Sequence, residues 1–529
     1  AVREALALAD QEIEDPIDRL AVRGTIRKWA GDDDGEAAEL AERWRRIPRD
    51  REAAKEALEA ALRAGNDRIR QEVETQWIRG AEDPMAARME LAKLYRKYWK
   101  GEMLVGVLEP ARQAWPGDAF LAAEVVRGWS MAGRPEEARE AAERWIAGWP
   151  DPAQAAQRVV ELAAEMLEIP LVERWLPEAL NGPRGDEGSR AILSAAMALG
   201  RAGKTDLARK YLGSWFSRAP DPLDWRIRVA GRLLQEPDVP LEVIPWFSGD
   251  GTVPEGQGGP LPLEALLACE EAGDPSRIQP CVARWGMGTG QDGTLVLLAA
   301  RALAAGRWQN AREWIVAADR LSGESRTVRL QAARVIVNFL GDPEGWSGEA
   351  RRSLGALAAG WFSGEDGGPE ASTDRILQAH LTEMALGPEA GARWYRRALA
   401  ADPSSGSIRN NLAYLLSLAG GDLEEAIREA RAAWVLSPAG LPWYLETEAW
   451  ARFLRGETQA ALRMQRRVSR HWTEEGADGW SEGLWHLGRM LEKAGRLPEA
   501  KEAWRRAAVW SPRGDWHGIR ALRRWRGVP

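Results

Sequence analysis

The sequence has little cysteine or histidine, and it contains no long apolar run. Two Cys and four His without the paired spacing of zinc ligands exclude a structural zinc site. No apolar stretch approaches the roughly 20 residues that a helix needs to span a bilayer. The formal net charge of −7 argues against a general nucleic-acid binder, which normally carries a basic field. What remains is a folded chain of 529 residues, expected to be soluble and too long for one ordinary core.

The two cysteines, Cys269 and Cys281, are expected on opposite helices of one hairpin, as buried free thiols. A disulfide between them requires export from the cytoplasm. The chain begins at Ala1 without an initiator Met, and its first residues lack the basic and apolar regions of a signal peptide. We therefore expect a processed or trimmed product, from which a signal peptide has been removed if the protein is periplasmic rather than cytoplasmic.

Tryptophan is abundant, with 28 residues against six Phe and six Tyr. A surface that stacks on sugars is one explanation of such a Trp-rich chain. The aromatic total of 8% is nevertheless ordinary, and arginine outnumbers lysine in a similar way. A coding bias that places Trp where Phe or Tyr usually stands is therefore the favoured explanation.

A pattern of small and bulky residues recurs along the chain. In the stretch WHLGRMLEKAGRLPEAKEAWRRAAVWSP, spacings of 12, 4, 3 and 5 separate Gly488, Ala500, Trp504, Ala507 and Pro512. The same spacings separate Ala196, Ala208, Leu212, Trp215 and Pro220, and also Val126, Ala138, Ala142, Trp145 and Pro150. Each of these units has a glycine at its turn: Gly133, Gly203 and Gly495. Each unit therefore predicts two amphipathic helices joined by a tight turn.

This pattern resembles the tetratricopeptide repeat (TPR) family, as a bacterial-type α-solenoid with a period of roughly 34 residues. The resemblance implies an all-α, right-handed solenoid of about a dozen helix hairpins, without a sheet. The first 90 residues match weakly, yet DGEAAELAERWRRI and REAAKEALEAALRAG still predict helices. We expect irregular helical repeats at 1–90, divergent helix pairs at 91–246 and 263–361, regular repeats at 372–512, and a C-terminal capping helix at 513–529.

Two short motifs match catalytic or cofactor patterns, and neither has the context that its chemistry needs. The stretch GTGQDG at 288–293 fits G-x-G-x-x-G, which must follow a strand, whereas a predicted helix precedes it. The stretch GWSEG at 479–483 fits the nucleophile elbow of hydrolases, which also needs a strand. We expect Ser481 to be the N-cap of a helix that starts near Glu482. The sequence thus predicts no enzyme, no cofactor and no metal site.

In the TPR family, ligands usually lie in the concave groove lined by the first helix of each repeat. For the last three repeats, the resemblance implies these partner-binding residues: Asn410, Asn411, Tyr414, Trp443, Glu446, Trp450, Trp485, His486 and Arg489. Aromatic side chains beside amide, acidic and basic groups are typical of a peptide-binding surface. The alternative is that some of these Trp pack against the neighbouring helix. One family variant clamps a C-terminal carboxylate with Lys and Asn, but only Asn411 matches a clamp position here.

Three hypotheses for function follow from this resemblance. The first is a non-catalytic scaffold that mediates protein–protein interaction and complex assembly through the concave groove. The second is the recognition or sensor arm of a larger enzyme or regulator, and the third is a periplasmic scaffold in polysaccharide export or envelope assembly. A protein or peptide partner is expected, and in the third hypothesis Trp-rich grooves could also contact glycans. The Gly-rich loops at 247–262 and 362–373 are the next candidate surfaces if the groove is not used.

Overall fold

The fold is all-helical wherever the computed structural model describes the chain. The described residues are 2–30, 32–218, 222–245, 262–285, 292–341, 346–362, 372–418, 420–436, 441–471, 480–511 and 515–527. They form 29 α-helices and two short 3₁₀ helices, and no strand lies among them. The prediction of an all-α fold is confirmed. None of the helices in these ranges combines the length and the apolar character that crossing a bilayer requires.

The N-terminal part consists of short helices, several of which begin directly after an aspartate. They are α1 (Val2–Glu12), α2 (Pro16–Trp29), α3 (Asp33–Arg46), α4 (Arg51–Ala64), α5 (Asp67–Gly80), α6 (Pro84–Lys97), α7 (Gly101–Ala114), α8 (Ala119–Met131), α9 (Pro135–Gly148), α10 (Pro152–Glu165), α11 (Ile169–Ala179), α12 (Asp186–Arg201), α13 (Thr205–Phe216), α14 (Pro222–Gln235) and the 3₁₀ helix Leu241–Val243. The carboxylates of Asp15, Asp50, Asp83, Asp118 and Asp151 accept hydrogen bonds from two backbone N–H groups of the following turn. These N–H groups have no partner inside the helix, so the aspartates fix where each helix starts.

The C-terminal part continues the same succession of helices. They are the 3₁₀ helix Pro275–Arg277, α15 (Pro262–Glu271), α16 (Ile278–Trp285), α17 (Asp292–Ala304), α18 (Trp308–Leu321), α19 (Arg326–Leu340), α20 (Gly348–Trp361), α21 (Ser372–Leu386), α22 (Pro388–Ala401), α23 (Gly406–Leu418), α24 (Leu423–Leu436), α25 (Leu441–Leu454), α26 (Thr458–Ser469), α27 (Trp480–Lys493), α28 (Leu497–Trp510) and α29 (Trp516–Trp525). Successive helices pack as hairpins, as in α8–α9, α12–α13, α23–α24 and α27–α28. First helices of successive hairpins also contact each other, as in α10–α12, α23–α25 and α27–α29, so the hairpins stack as a solenoid.

The recurring small residues lie at the contacts between paired helices. Gly488 of α27 faces the indole of Trp504 in α28 so closely that a Cβ atom would collide with the ring. In the α21–α22 hairpin, a Cβ on Gly391 would lie 2.8 Å from Cβ of Glu383 and 2.9 Å from Cδ1 of Leu415. Trp504 is buried, and so are Trp145 and Trp215, which stand at the next position of the repeat, where this hairpin has Ala507. The small and bulky positions of the repeat therefore pack as the sequence predicts.

The hairpin glycines adopt the left-handed backbone conformation. Gly133, Gly203 and Gly495 have φ angles of 68°, 77° and 77°. Side chains rarely tolerate this region, and it ends a helix while satisfying its last carbonyl groups. The predicted turn positions are confirmed.

The last helices fold back onto hairpins that lie far earlier in the sequence. The indole of Trp510, at the end of α28, meets Trp99 edge to face with a centroid distance of 5.2 Å. Trp516 of α29 lies 5.2 Å from Phe339 and 5.8 Å from Trp346. Its helix therefore joins the core of α3–α21 as well as packing on α27 and α28.

Arginines from α28 and α29 bind the carbonyl ends of earlier first helices. The guanidinium of Arg505 donates to the backbone oxygen of Ser130 (2.9 Å) and to that of Met166 (3.2 Å). It also donates to Oε1 of Glu168, at 3.2 Å. Arg523 donates to the backbone oxygen of Ala304, the last residue of α17. Carbonyl groups at a helix C-terminus lack intrahelical partners and carry partial negative charge, so cations stabilise them.

The two cysteines are paired. Cys269 of α15 and Cys281 of α16 form a disulfide whose Cα atoms are 6.8 Å apart, within the range that a disulfide spans. They lie on opposite helices of one hairpin, as the sequence indicates, but not as the free thiols that we expected. The Gly-rich loops proposed at 247–262 and 362–373 lie almost entirely outside the described residues.

Burial lowers the pKa of two histidines at helix contacts, His380 and His471. His380 of α21 is 6% exposed, and burial lowers its pKa to about 4, with Arg351 acting in the same direction. His471 follows α26, where its Nε2 lies 3.6 Å from Oδ1 of Asp33. Burial, then the cations around it, lower its pKa to about 4, so the ring is neutral at pH 7 and this contact is no ion pair. Both neutral rings therefore stabilise the fold at neutral pH, and this stabilisation is lost when acid protonates them.

We expect Arg505→Gln to lower the free energy of unfolding by about 3 kcal/mol, because it leaves a buried carboxylate without its cation and carbonyl groups without a donor. Small-angle scattering should show a larger radius of gyration for this variant than for the parent. The matched control is Arg428→Gln, since Arg428 is exposed on α24. Equal stability and equal size for the two variants would show that Arg505 does not hold the chain closed.

We expect His380→Gln to weaken the pH dependence of stability. The folded pKa of about 4 lies below the ordinary value of 6.5, so the unfolded chain binds the proton more readily. The stabilisation from the neutral ring is therefore complete above pH 6.5 and is lost as the pH falls towards 4. Urea unfolding between pH 7 and pH 4 should show the parent losing about 3 kcal/mol more than the variant. Parallel pH profiles would contradict this.

Candidate protein-binding groove

The predicted groove residues lie on three first helices that stack side by side. Asn410, Asn411 and Tyr414 belong to α23, Trp443, Glu446 and Trp450 belong to α25, and Trp485, His486 and Arg489 belong to α27. In each helix, spacings of three or four residues place most of these side chains on one face. Because α23 packs on α25 and α25 packs on α27, these faces adjoin one another.

Trp443 is the exposed aromatic member of this set. It is 43% exposed, near the start of α25. Its indole stacks on Trp480, the first residue of α27, with a centroid distance of 4.4 Å and an interplanar angle of 7°. Asn410, Asn411, Tyr414 and Arg489 are half-buried. Trp443 therefore presents a fixed apolar surface to solvent.

Four of the predicted residues are buried and pack between helices. Nδ1 of His486 lies 2.5 Å from Oε1 of Glu446. The ring of Trp450 stacks on His486 at 3.7 Å, and Trp450 is only 4% exposed. Trp485 is 2% exposed and lies against Trp504 of its own hairpin. In the free chain Glu446, Trp450 and His486 hold α25 and α27 together, and Trp485 packs inside its own hairpin. Packing of this kind is the alternative that the sequence left open for the tryptophans.

Glu482 links helices two repeats apart, and sequence reasoning missed it. Its Oε1 accepts a hydrogen bond from the hydroxyl of Tyr414 on α23. It also lies 3.6 Å from Nε2 of His517 on α29. Glu482 occupies the same repeat position as Trp443, six residues before the small residue of the first helix. If every position of the first helix had been compared between repeats, the sequence would have identified Glu482 as a candidate groove residue.

A second concave region lies where the end of α28 faces the first helices of the N-terminal repeats. Methionines and arginines are prominent in the lining of its cavity, which measures about 300 Å³. The principal lining residues are Trp99, Met131, Met166, Met197, Arg127, Arg201, Arg232, Glu236 and Trp510. Carboxylates pair with these arginines: Arg201, for example, lies 3.4 Å from Glu236 and 3.1 Å from Asp238. The sequence contained no signal for this cavity, because residues hundreds of positions apart form it.

The two motif matches do not form a site. Ser481 lies inside the first turn of α27, which begins at Trp480, so the expectation that it caps a helix from Glu482 is wrong. It is buried, at 1% exposure. The stretch GTGQDG lies mostly outside the described residues, and the structure shows a helix, α16, before it. Among the described residues no three His, Cys, Asp or Glu side chains are grouped as metal ligands.

No family model matches the chain, and neither does any curated protein. Similar solved structures include yeast Tom70, at 12% identity and a TM-score of 0.28, covering 84% of this chain and 96% of that chain. A chain of Naa15/Naa10 bound to HypK-THB has 13% identity and a TM-score of 0.26, with 99% and 78% covered. The TPR domain of P58(IPK) has 12% identity and a TM-score of 0.19, with 79% and 99% covered.

Similarities this low carry no inference about what the chain binds. The fold rests instead on the chain's own stacked hairpins and on the buried repeat positions that pair their helices. On these grounds the chain is a TPR-like α-solenoid.

Proposed function

We propose that the chain is a scaffold that binds an extended segment of a partner protein on the concave side of its last repeats. The observation that carries the proposal is Trp443, which is 43% exposed yet stacked on Trp480. Aromatic anchors contribute much of the affinity at protein interfaces. An anchor that is already fixed loses little conformational freedom on binding.

Polar side chains that suit a peptide backbone lie one repeat earlier. Asn410 and Asn411 are half-buried on α23, and each amide can both donate and accept a hydrogen bond. Oδ1 of Asn410 has no hydrogen-bond partner among the described residues. An extended ligand would offer backbone N–H groups to such acceptors, while an apolar side chain packs on Trp443.

The buried residues among the predicted groove positions pack beneath Trp443 and hold its helix in place. The Glu446–His486 contact and the stacking of Trp450 on His486 fix α25 against α27. This fixes the separation of Trp443 and Trp480, because each lies on one of these two helices. Under this proposal Trp450, Trp485, Glu446 and His486 contribute to binding by positioning Trp443, rather than by touching the partner.

One observation favours an exported scaffold over a cytoplasmic one. The Cys269–Cys281 pair bridges α15 and α16, and disulfides persist mainly in oxidising compartments. This supports the periplasmic candidate for the compartment alone, since it carries no information about glycans or envelope assembly.

The disulfide can be tested by thiol titration of the chain secreted into an oxidising compartment and unfolded without reductant. We expect essentially no reactive thiol before reduction and two per chain afterwards, because Cys269 and Cys281 are the only cysteines in the sequence. Two reactive thiols before reduction would remove the support for export.

The groove can be tested with peptides selected on the intact chain from a random peptide library. Truncating a central aromatic anchor typically costs about 2 kcal/mol, so Trp443→Ala should weaken the selected peptides more than tenfold. Asn411→Ala should weaken them by a smaller factor. Fluorescence polarisation measures both Kd values.

The matched control is Trp115→Ala, because Trp115 is 52% exposed and lies far from these helices, after α7. This control should bind the selected peptides like the parent. Peptides that bind Trp443→Ala as tightly as the parent, while its melting curve is unchanged, would place the binding surface elsewhere.

A further inference from the structure

Two glutamates on the concave side of the last repeats lie in one continuous set of contacts. Glu446 belongs to α25, and Glu482 lies in the first turn of α27. Nδ1 of His486 lies 2.5 Å from Oε1 of Glu446, and Nε2 of His517 lies 3.6 Å from Oε1 of Glu482. The two imidazole rings meet edge to face at a centroid distance of 6.3 Å. Side chains from α25, α27 and α29 therefore bring both carboxylates to one part of the groove.

The surroundings of these two carboxylates differ from those of a neighbouring glutamate. In the part of the chain that the structure describes, no lysine or arginine nitrogen lies within 4.0 Å of Glu446 or Glu482. By contrast, Glu448 of α25 lies 2.9 Å from both Arg431 and Arg452. Among the described residues, histidine is the only basic side chain at this distance from the two groove carboxylates, and an imidazole is charged only when it is protonated.

Two arginines of α27 and α29 lie over a tryptophan ring. The guanidinium carbon of Arg489 is 5.4 Å from the ring centroid of Trp485, and that of Arg520 is 4.4 Å from it. Arg489 also lies 3.7 Å from Glu492. It follows Glu482 by seven residues, which is about 10 Å along a helix. The concave face of α27 is therefore acidic at its start and basic two turns later.

Glu482 is the carboxylate that a partner can reach. Its side chain is 26% exposed, compared with 9% for Glu446. The hydroxyl of Tyr414 donates to Oε1 of Glu482, and His517 approaches the same oxygen. No described residue donates to Oε2, so this oxygen is available to a ligand. Contacts at one oxygen therefore hold the carboxylate in position and leave the other oxygen for a partner.

The exposed tryptophan of the groove lies close to this carboxylate. Trp480, two residues before Glu482, stacks on Trp443 with a centroid distance of 4.4 Å. The Trp443–Trp480 stack and Glu482 therefore share the first turn of α27, and one helical turn rises by about 5.4 Å. An extended segment advances about 3.3 Å per residue, so side chains a few residues apart in one segment reach both.

We propose that the partner segment carries a lysine or arginine that pairs with Glu482, a few residues from the apolar side chain that packs on Trp443. This inference rests on the proposed groove and adds the charge of its ligand. The incoming group supplies the full positive charge that no described side chain supplies at ion-pair distance. Hydrogen bonds between charged groups are stronger than those between neutral groups. Glu446 is buried on the neighbouring helix, where it attracts the same cation without touching it.

The test uses peptides selected on the intact chain from a random peptide library. We expect lysine or arginine in most selected peptides, a few residues from an apolar side chain. Replacing that basic residue by glutamine should weaken binding about tenfold, because it removes the charged hydrogen bond. The difference between the two peptides should shrink as salt is added, because Glu482 is partly exposed. Fluorescence polarisation measures each Kd.

Glu482→Gln removes the charge and keeps an acceptor for Tyr414. In this variant a basic peptide and its glutamine form should bind with Kd values within about twofold of each other. Glu482→Lys should reverse the preference, so that a peptide with glutamate at the basic position binds more tightly than the basic peptide. The matched control is Glu499→Gln, since Glu499 is exposed on α28, the second helix of the same hairpin. It should bind every peptide like the parent.

The outcomes separate this inference from the groove itself. Selected peptides that need Trp443 but show no preference for a basic residue would overturn the pairing with Glu482 and leave the groove in place. Equal weakening of a basic peptide and its glutamine form by Glu482→Gln would also overturn the pairing, because Glu482 would then shape the surface without recognising charge. A basic preference that depends on Glu482, in peptides that do not need Trp443, would support the pairing and overturn the Trp443 anchor. Failure to select any peptide would count against both.

Discussion

Arg505 makes the contact on which the closed arrangement of the chain depends. Its guanidinium reaches Ser130 and Met166, which are 375 and 339 residues away in the sequence. Both acceptors are carbonyl groups at the ends of first helices, where cations are favourable. An open solenoid contacts only its neighbouring repeats. Here the last hairpin also binds the turns of much earlier ones, and the end of α28 lines a cavity together with those earlier helices.

The local part of this fold could be predicted from the sequence. The contact of Gly488 with Trp504 and the left-handed turn at Gly133 each involve only residues of one hairpin. The spacing of these residues in the sequence is therefore enough to identify them. The closure could not be predicted, because nothing in the repeat pattern shows that Trp510 meets Trp99 or that Trp516 meets Phe339. Such contacts depend on the accumulated rotation from hairpin to hairpin. Small differences in packing at each of many interfaces determine that rotation.

The groove could be predicted as a set of positions, but not as a set of exposed side chains. The register places Trp443, Trp450 and Trp485 on first helices, yet only Trp443 is exposed. The position along the helix and the neighbouring side chain determine how exposed each ring is. Trp450 stacks on the buried His486, whereas Trp443 stacks on Trp480 near the start of its helix. Tyr414 reaching Glu482 past an intervening helix is a consequence of curvature, which a one-dimensional pattern does not contain.

Arg505 and Arg506 are adjacent, and they contribute to the closing contact in different ways. Neighbouring residues of a helix point about 100° apart, so one side chain enters the carbonyl-lined turns while the other enters the tryptophan pair. The first has acceptors on every side and is satisfied within the chain. The second lies over the ring faces of Trp99 and Trp510, where cation–π attraction holds it. The closing contact therefore combines two kinds of interaction on one helix, hydrogen bonds to carbonyl groups through Arg505 and stacking on aromatic rings through Arg506.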